Sequence, residues 1–335
     1  MSAVTATTLS TASIRASAPG KLMLAGEYVV VERGVAALAV AVDRRMHVEI
    51  VPESRRTWLV TSAALGLRDA PLKSVPVLAE VIARLPGIPS GGRITVTSEL
   101  GEGPNKPGLG GSAALCAAAF SGLWKISGAS GAPDLEIAIA AHRAAQGGRG
   151  SGYDVATALQ GGIALFHPGQ GAVPARVEQV KWPIGLHAMV FRTGRGADTS
   201  EQLARMQSWR EEDEASYDAC IEPLAAETEA FIQAFLEGDI TRILDAASQV
   251  QEELAMMDRI GELGILAGGQ CQLLGAIEDG GAIARTSGAG GGDCAWALSD
   301  DPACLERVAL ACNEFGFQQL TLELGGHGTR VGDEA

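Results

Sequence analysis

The chain has 335 residues, of which 47% are hydrophobic and 20% are charged, and its formal net charge is −14. These values indicate a globular chain long enough for two domains, and they exclude a disordered chain. The acidic balance argues against nucleic acid or an anionic membrane as a general partner, and the apolar stretches are too short to span a bilayer.

The first half of the chain alternates strand-like and helix-like patterns. The periodicity of its apolar residues predicts two strands around a Pro-Gly turn in 14–31, a strand pair in 36–51, a helix in 72–85, a strand in 92–100, a helix from residue 113, a helix in 133–146, and strands in 161–168 and 185–194.

The second half is mostly helical. Its pattern predicts helices in 199–209, 219–238, 239–257 and 263–280, a strand in 294–299, a helix in 302–316 and a last strand in 318–324. Because strands and helices mix without a repeating βαβ period, we expect an α+β protein. The weakly patterned stretch near residue 170 predicts a boundary between an N-terminal domain, 1–175, and a C-terminal domain, 176–335.

Cysteine and histidine spacing restricts the chemistry further. The six cysteines show no Cys-x-x-Cys spacing, and the five histidines form no His-x-x-x-His pair. This pattern disfavours a disulfide framework or a zinc site, and we expect the reducing environment of the cytoplasm.

A glycine-rich turn precedes the helix that starts at residue 113, in "GPNKPGLGGSAALCAAAF", 103–120. A helix N-terminus presents unpaired N–H groups and the positive end of its dipole, and glycines let a phosphate approach the backbone closely. The stretch favours an anion site, with an ordinary loop before a core helix as the alternative.

Two familiar phosphate loops do not explain this turn. The pattern Gly-x-x-x-x-Gly-Lys-Ser/Thr does not occur in the chain. "GLGGSA" matches the loose dinucleotide fingerprint, but no strand directly precedes it and no acidic residue ends a strand about twenty residues later, so we do not expect NAD.

Three further segments place polar residues among glycines and apolar residues. In "SAPGKLMLAGEYVVVERG", 17–34, Lys21 follows a Pro-Gly turn, although a lone lysine is more often simply solvated. In "TSGAGGGDCAWAL", 286–298, glycines run into an apolar strand, which indicates a close backbone approach. Asp154, in "GRGSGYDVATAL", is either a helix N-cap or a carboxylate in a phosphate-lined site.

The segments "APGKLMLAGEYVVV", "PNKPGLGGSAA" and "SGAGGGDC", in this order and at these separations, resemble the three motifs of the GHMP kinases. The resemblance covers the chain from about residue 16 to residue 298, and it implies the two-domain α+β GHMP kinase fold with the active site in the cleft between the domains. One departure is Gly111, where the family loop usually carries the first of two serines. Ser112 matches the second serine, which the family uses on magnesium.

The resemblance also implies a set of functional residues, with ATP and Mg²⁺ as cofactors. Lys21 and Asp154 are the expected catalytic residues, with Asp154 acting as a base or only orienting. The residues expected to bind ATP are Lys106, Gly108, Leu109, Gly110, Gly111, Ser112 and Ala113, with Ser112 on the metal. The residues expected at the acceptor are Lys21, Glu27, Tyr28, Ser151, Gly152, Asp154, Thr199, Ser200, Ser287, Gly288, Ala289 and Gly290. A basic pocket is expected from cations in or beside the motifs, namely Lys106, Arg149, Arg192, Arg195 and Arg285.

Finer residues indicate a branch of the family. Tyr28, Asp293 and "GRGSGYDVA" are similar to the bacterial phosphomevalonate kinases, whereas mevalonate kinases usually read Gly-Glu-His in the first motif. The resemblance thus implies ATP-dependent phosphorylation of 5-phosphomevalonate to 5-diphosphomevalonate in the mevalonate pathway of isoprenoid biosynthesis. A mevalonate kinase and a non-catalytic GHMP-like ligand-binding protein remain alternatives. The expected partners are these small molecules, without nucleic acid or membrane, and a homodimer stays open.

Overall fold

A computed structural model describes residues 13–101, 106–196 and 199–332, and for Thr199 and Ser200 it describes the backbone alone. Two β-sheets organise these residues. The first has eight strands: β1 (Ile14–Ala25), β2 (Ala37–Pro52), β3 (Trp58–Ser62), β4 (Leu67–Pro71), β5 (Gly92–Ser98), β6 (Ile163–His167), β7 (Arg176–Val180) and β12 (Arg330–Val331). The second has four: β8 (His187–Arg192), β9 (Ile283–Ser287), β10 (Cys294–Ser299) and β11 (Gln318–Leu320).

Ten helices accompany the sheets in the described residues. They are α1 (Val29–Glu32), α2 (Pro76–Arg84), α3 (Gly111–Ile126), α4 (Leu135–Ala145), α5 (Tyr153–Gln160), α6 (Thr199–Glu212), α7 (Glu214–Glu237), α8 (Ile240–Gly261), α9 (Gln270–Asp279) and α10 (Pro302–Glu314). Mixed helix and sheet of this kind confirm the α+β prediction. None of the helices in the described ranges is long and apolar enough to cross a membrane.

The two strand pairs predicted in 14–31 and 36–51 are wrong. The first segment is one strand, β1, because Pro19 and Gly20 shift its register against β2 instead of turning the chain, and the helix α1 follows it. The second segment is also one strand, because the far edge of β2 pairs first with β6, over Ala37–Val40, and then with β5, over Met46–Pro52.

The apolar run after the glycine turn forms the predicted helix, and it is buried. Every residue of α3 from Ala113 to Leu123 is buried, and the helix packs on β1 and β2 beside α5. Its small side chains let the helix backbone lie close to the sheet. The start of α3 is thereby held in a fixed position relative to β1.

Two predicted elements in the second half are shorter than expected. The helix predicted in 263–280 is α9, which begins at Gln270 because Gly268 and Gly269 have left-handed φ values of 63° and 91°. The strand predicted in 318–324 ends at Leu320, since the chain leaves the second sheet there and Leu324 bridges to Val42 of the first.

The chain changes sheets between β7 and β8, and its C-terminal segment returns to the first sheet. The Arg45 guanidinium holds this segment by donating to the carbonyls of His327, at 2.8 Å, and Gly328, at 2.7 Å. The division into domains 1–175 and 176–335 stays a prediction, although β7, which begins at Arg176, pairs with β6 in the first sheet.

Candidate active site

Direct hydrogen bonds join the three glycine-rich motifs. The Lys21 N–H donates to the Leu109 carbonyl at 2.9 Å, which ties the first motif to the second. The Ser287 hydroxyl donates to the Met23 carbonyl at 3.0 Å and accepts from the Met23 N–H at 3.2 Å, which ties the third motif to the first. The Cys294 thiol donates to the Pro107 carbonyl at 2.9 Å, and burial raises the pKa of this thiol. Segments more than 250 residues apart thus form one unit.

The second motif forms a glycine-lined cradle at the start of α3. Gly110 caps the helix with a left-handed φ of 73°, and Gly108 has a φ of 67°. A Cβ on Gly110 would lie 2.9 Å from Lys21 Cε, and one on Gly108 would lie 2.3 Å from the Asp293 carboxylate. Ser112, in the first turn, is exposed to the adjoining cavity. The glycines therefore let a lysine and a carboxylate reach the mouth of the cradle.

Lys21 lies at the centre of this arrangement. Its ammonium lies 5.3 Å from the centroid of the Tyr153 ring, and the carboxylates of Asp154 and Asp293 are near enough to act on its charge. Burial alone would lower the pKa of Lys21, but Tyr153 and the two carboxylates outweigh burial and raise it. Lys21 is therefore a cation beside the cradle.

Asp154 is the second residue of α5, and Gly152 occupies the N-cap position, so the N-cap alternative for Asp154 is wrong. One carboxylate oxygen accepts from the Val155 N–H at 2.9 Å. The other oxygen lies 3.8 Å from His142 Nδ1, and the Asp154 side chain is 22% exposed, so it still reaches the cavity.

A cavity of about 930 Å³ connects these groups. Most of the residues predicted for the site line it: Lys21, Glu27, Tyr28, Lys106, Gly108, Leu109, Gly110, Gly111, Ser112, Ala113, Ser151, Asp154, Ser287, Gly288 and Ala289. Two do not. Gly152 packs against Ile139, and Gly290 packs against the Ile265 carbonyl. The side chains of Thr199 and Ser200 lie outside the described residues, so these two assignments stay predictions.

The predicted basic pocket is only partly formed. Lys106 and Arg149 line the cavity, whereas Arg192, Arg195 and Arg285 are not among its described lining residues. Arg285 instead forms a buried ion pair with Glu27 at 3.0 Å and donates to the Leu24 carbonyl at 3.1 Å. Because both side chains of the pair are at most 1% exposed, Arg285 neutralises Glu27 behind the cavity wall and does not face a ligand.

Two other predicted acceptor contacts are engaged with the protein. The Ser287 hydroxyl is used between β9 and β1, as described above, and the Tyr28 hydroxyl donates to the Ala289 carbonyl. Burial, with Asp258 and Glu27 nearby, raises the pKa of Tyr28. These side chains hold the third motif against the first, and both residues are among those that line the cavity.

The sequence interpretation missed three groups at the site. His142 lies between Ser112 and Asp154, Tyr153 contacts Lys21, and Asp293 lies over Gly108. Asp293 was noted only as a mark of the family branch, yet its left-handed φ of 57° is unusual for a non-glycine residue. A single histidine on an amphipathic helix, such as His142, carries no spacing signal.

The family model for the GHMP kinases N terminal domain matches residues 73–162. A phosphomevalonate kinase of Streptomyces sp. (strain CL190) is 30% identical over an alignment of 338 positions, which covers 85% of this chain and 90% of the relative. A mevalonate kinase of Aeropyrum pernix is 35% identical over an alignment of 175 positions, which covers 48% of this chain and 53% of the relative. The structure of Streptococcus pneumoniae phosphomevalonate kinase in complex with phosphomevalonate and AMPPNP superposes with a TM-score of 0.77 at 20% identity, covering 92% of this chain and 99% of that one.

Proposed function

The chain belongs to the GHMP kinase family, and on that premise we propose that it transfers the γ-phosphoryl group of ATP to the phosphate of 5-phosphomevalonate. An oxygen of the acceptor phosphate forms the new bond to the γ-phosphorus, the bond to the β-phosphate oxygen breaks, and the products are ADP and 5-diphosphomevalonate. The observation that carries the proposal is the position of Lys21, in contact with Gly110 of the cradle and facing Asp154 across the same cavity.

The nucleotide phosphates are assigned to the cradle. The first N–H groups of α3 and the positive end of its dipole would bind the β- and γ-phosphates. The cavity wall formed by β3, α2, β5 and their adjoining turns is rich in apolar side chains, among them Leu65, Val75, Val77 and Val96. We assign the nucleoside to that wall, because a base needs apolar surface while the cradle takes its phosphates.

The oxygen donors present suit a magnesium ion that arrives with the nucleotide. Mg²⁺ is typically held by one or two protein oxygens together with substrate phosphates and waters. Ser112 and Asp154 supply such oxygens and contact the same imidazole, and no cluster of three metal-binding side chains occurs in the described part of the chain. A metal there would neutralise the transferred group, and Ser112 and Asp154 are the residues that would hold it.

The acceptor is assigned to the opposite side of Lys21. Its phosphate is largely ionised near neutral pH, because the second pKa of a phosphate is about 6. It therefore needs a cation more than a base, and Lys21 and Arg149 are available in the cavity lining. Asp154 would orient Lys21 and, together with Ser112, would hold the metal. The two-domain division, with this cavity between the domains, is part of the proposal.

The choice of acceptor is tested by an ADP-release assay with 5-phosphomevalonate and mevalonate side by side. We expect turnover of 5-phosphomevalonate alone, because Tyr28 follows Glu27 where mevalonate kinases usually carry histidine, and because the phosphomevalonate kinase relative is 30% identical over 85% of the chain. Comparable kcat/KM for mevalonate would favour the mevalonate kinase alternative. Nucleotide binding without ADP release from either acceptor would favour a non-catalytic ligand-binding protein.

A further inference from the structure

A buried histidine connects the cradle to the catalytic carboxylate. His142 lies on α4 with a side chain that is 3% exposed. Its Nε2 lies 3.1 Å from Ser112 Oγ, and its Nδ1 lies 3.8 Å from an Asp154 carboxylate oxygen. The imidazole is therefore placed between the first turn of α3 and the first turn of α5, the two turns that carry Ser112 and Asp154.

At 3.8 Å the Nδ1 atom is too far from the Asp154 oxygen for a hydrogen bond, but the carboxylate favours a neutral tautomer whose N–H points toward it. A carboxylate only accepts hydrogen bonds, and neutral imidazole has one N–H donor and one bare nitrogen acceptor. The favourable tautomer carries its proton on Nδ1, facing Asp154, which leaves Nε2 to accept the Ser112 O–H. This tautomer is assigned from the hydrogen-bond partners.

The direction of the Ser112–His142 hydrogen bond determines what the Ser112 hydroxyl presents to the cavity. A serine hydroxyl has one hydrogen and two lone pairs. When its hydrogen points to His142, the lone pairs are left for the cavity, to which Ser112 is exposed. The hydroxyl then presents an acceptor, which suits a cation, and it does not present a donor for a phosphate oxygen.

We propose that His142 is a positioning residue that fixes the Ser112 hydroxyl as an oxygen ligand for the nucleotide-bound cation. The proposal rests on the proposed use of a nucleotide at this cradle, and it is independent of the acceptor. It assigns a role to a side chain outside the three glycine-rich motifs. Partners around metal ligands typically change metal affinity about 10- to 100-fold when they are lost.

Two substitutions of similar size separate this role from simple core filling. His142→Gln keeps an amide group at the position of Nε2, which can accept the Ser112 O–H. His142→Asn keeps a polar atom near the position of Nδ1 and removes the partner of Ser112. If His142 only fills the core, each variant should change the nucleotide affinity by the same factor with Mg²⁺ and without it.

The test is calorimetric titration of the full chain with AMPPNP, once with Mg²⁺ and once with EDTA. We expect the gain in affinity that Mg²⁺ gives to fall about tenfold in His142→Asn and to stay near the original value in His142→Gln. The affinity in EDTA should be the same for all three proteins, which also reports an intact fold. An equal magnesium-linked gain in all three, or a loss of EDTA affinity in both variants, overturns the role of His142.

Ser112→Ala supplies the matched control through a double-mutant cycle. If His142 acts through Ser112, then His142→Asn should produce no further loss of the magnesium-linked affinity in the Ser112→Ala background. Additive losses would mean that the two side chains act independently and would overturn the proposal. A chain that binds AMPPNP in neither buffer would overturn the nucleotide site itself, a result distinct from a failure of His142 alone.

Discussion

Loss of the Lys21 charge should damage turnover more than loss of the Asp154 charge. We choose Lys21→Met because methionine keeps an apolar stem against Gly110, where an added Cβ would lie only 2.9 Å from Lys21 Cε. The variant leaves Asp154 and Asp293 facing two polyanions without the intervening cation. Removing one electrostatic stabiliser of a transition state typically costs about 10²–10³ in kcat, so we expect a loss on that scale.

Asp154→Asn should cost less, because the accepting phosphate is already anionic and needs no base. The assay is ADP release at saturating ATP and 5-phosphomevalonate, with thermal unfolding of each variant as the control for folding. If Asp154→Asn proves the more damaging change while Lys21→Met stays active, the reaction depends on a carboxylate base and this mechanism is wrong.

The pH profile gives a second readout of the same lysine. The pKa of Lys21 is raised above its ordinary 10.5, because Tyr153, Asp154 and Asp293 outweigh the effect of burial. The lysine therefore stays charged at every pH below that value. In the unsubstituted protein we expect no decrease of kcat with rising pH, below pH 10.5, that is absent from Lys21→Met. A decrease of that kind would contradict the positive charge assigned to Lys21.

Three other perturbations test neighbouring parts of the site. Gly110→Ala should lower kcat, because the left-handed φ of 73° costs a non-glycine residue about 1–2 kcal/mol and the new Cβ displaces the Lys21 stem. Gly111→Ala is the control, since its Cβ would meet Met46 Cε at an ordinary 3.8 Å. Equal losses of kcat in the two variants would contradict the argument. Glu27→Gln should lower the free energy of unfolding by about 3–5 kcal/mol, as expected when a buried ion pair loses one partner; denaturant unfolding measures this, and the double variant Glu27→Leu with Arg285→Met should recover most of it. Chelation with EDTA should abolish ADP release yet leave calorimetric binding of 5-phosphomevalonate intact, and turnover in excess EDTA would exclude a required metal.

The motifs could be recognised from sequence because their chemistry is local. Gly108, Gly110 and Ser112 lie within five residues of one another, and the small apolar run that follows them dictates a buried helix. The contact of Lys21 with this cradle follows from the resemblance to a family, since spacing along the chain does not place residues 21 and 110 together.

Contacts between separate elements explain the features that the sequence interpretation missed or assigned wrongly. Pro19-Gly20 has the composition of a turn. However, β1 pairs with β2 both before and after these two residues, so the strand continues through them. The partners of His142 lie 30 residues before it and 12 residues after it, on α3 and α5, so no periodic pattern relates them. Arg285 lies beside the third motif, where a ligand-binding arginine would also lie, so the sequence does not reveal its role. Its burial opposite Glu27 shows that its charge is already paired within the protein.

The charge on the cavity wall explains why the nucleotide should bring a metal with it. Among the described lining residues, Lys21, Lys106 and Arg149 are cationic, and Glu27, Asp154 and Asp293 are acidic, so the formal charges cancel. Glu27 is neutralised by Arg285 behind the wall, which leaves about one surplus positive charge for the triphosphate of ATP and a second phosphate group. Phosphoryl transfer spreads negative charge over the transferred group, and a single surplus charge does not balance it. A divalent cation at Ser112 would supply the difference at the point where the charge develops, and this is the position that the Ser112 lone pairs face when His142 holds the hydroxyl hydrogen.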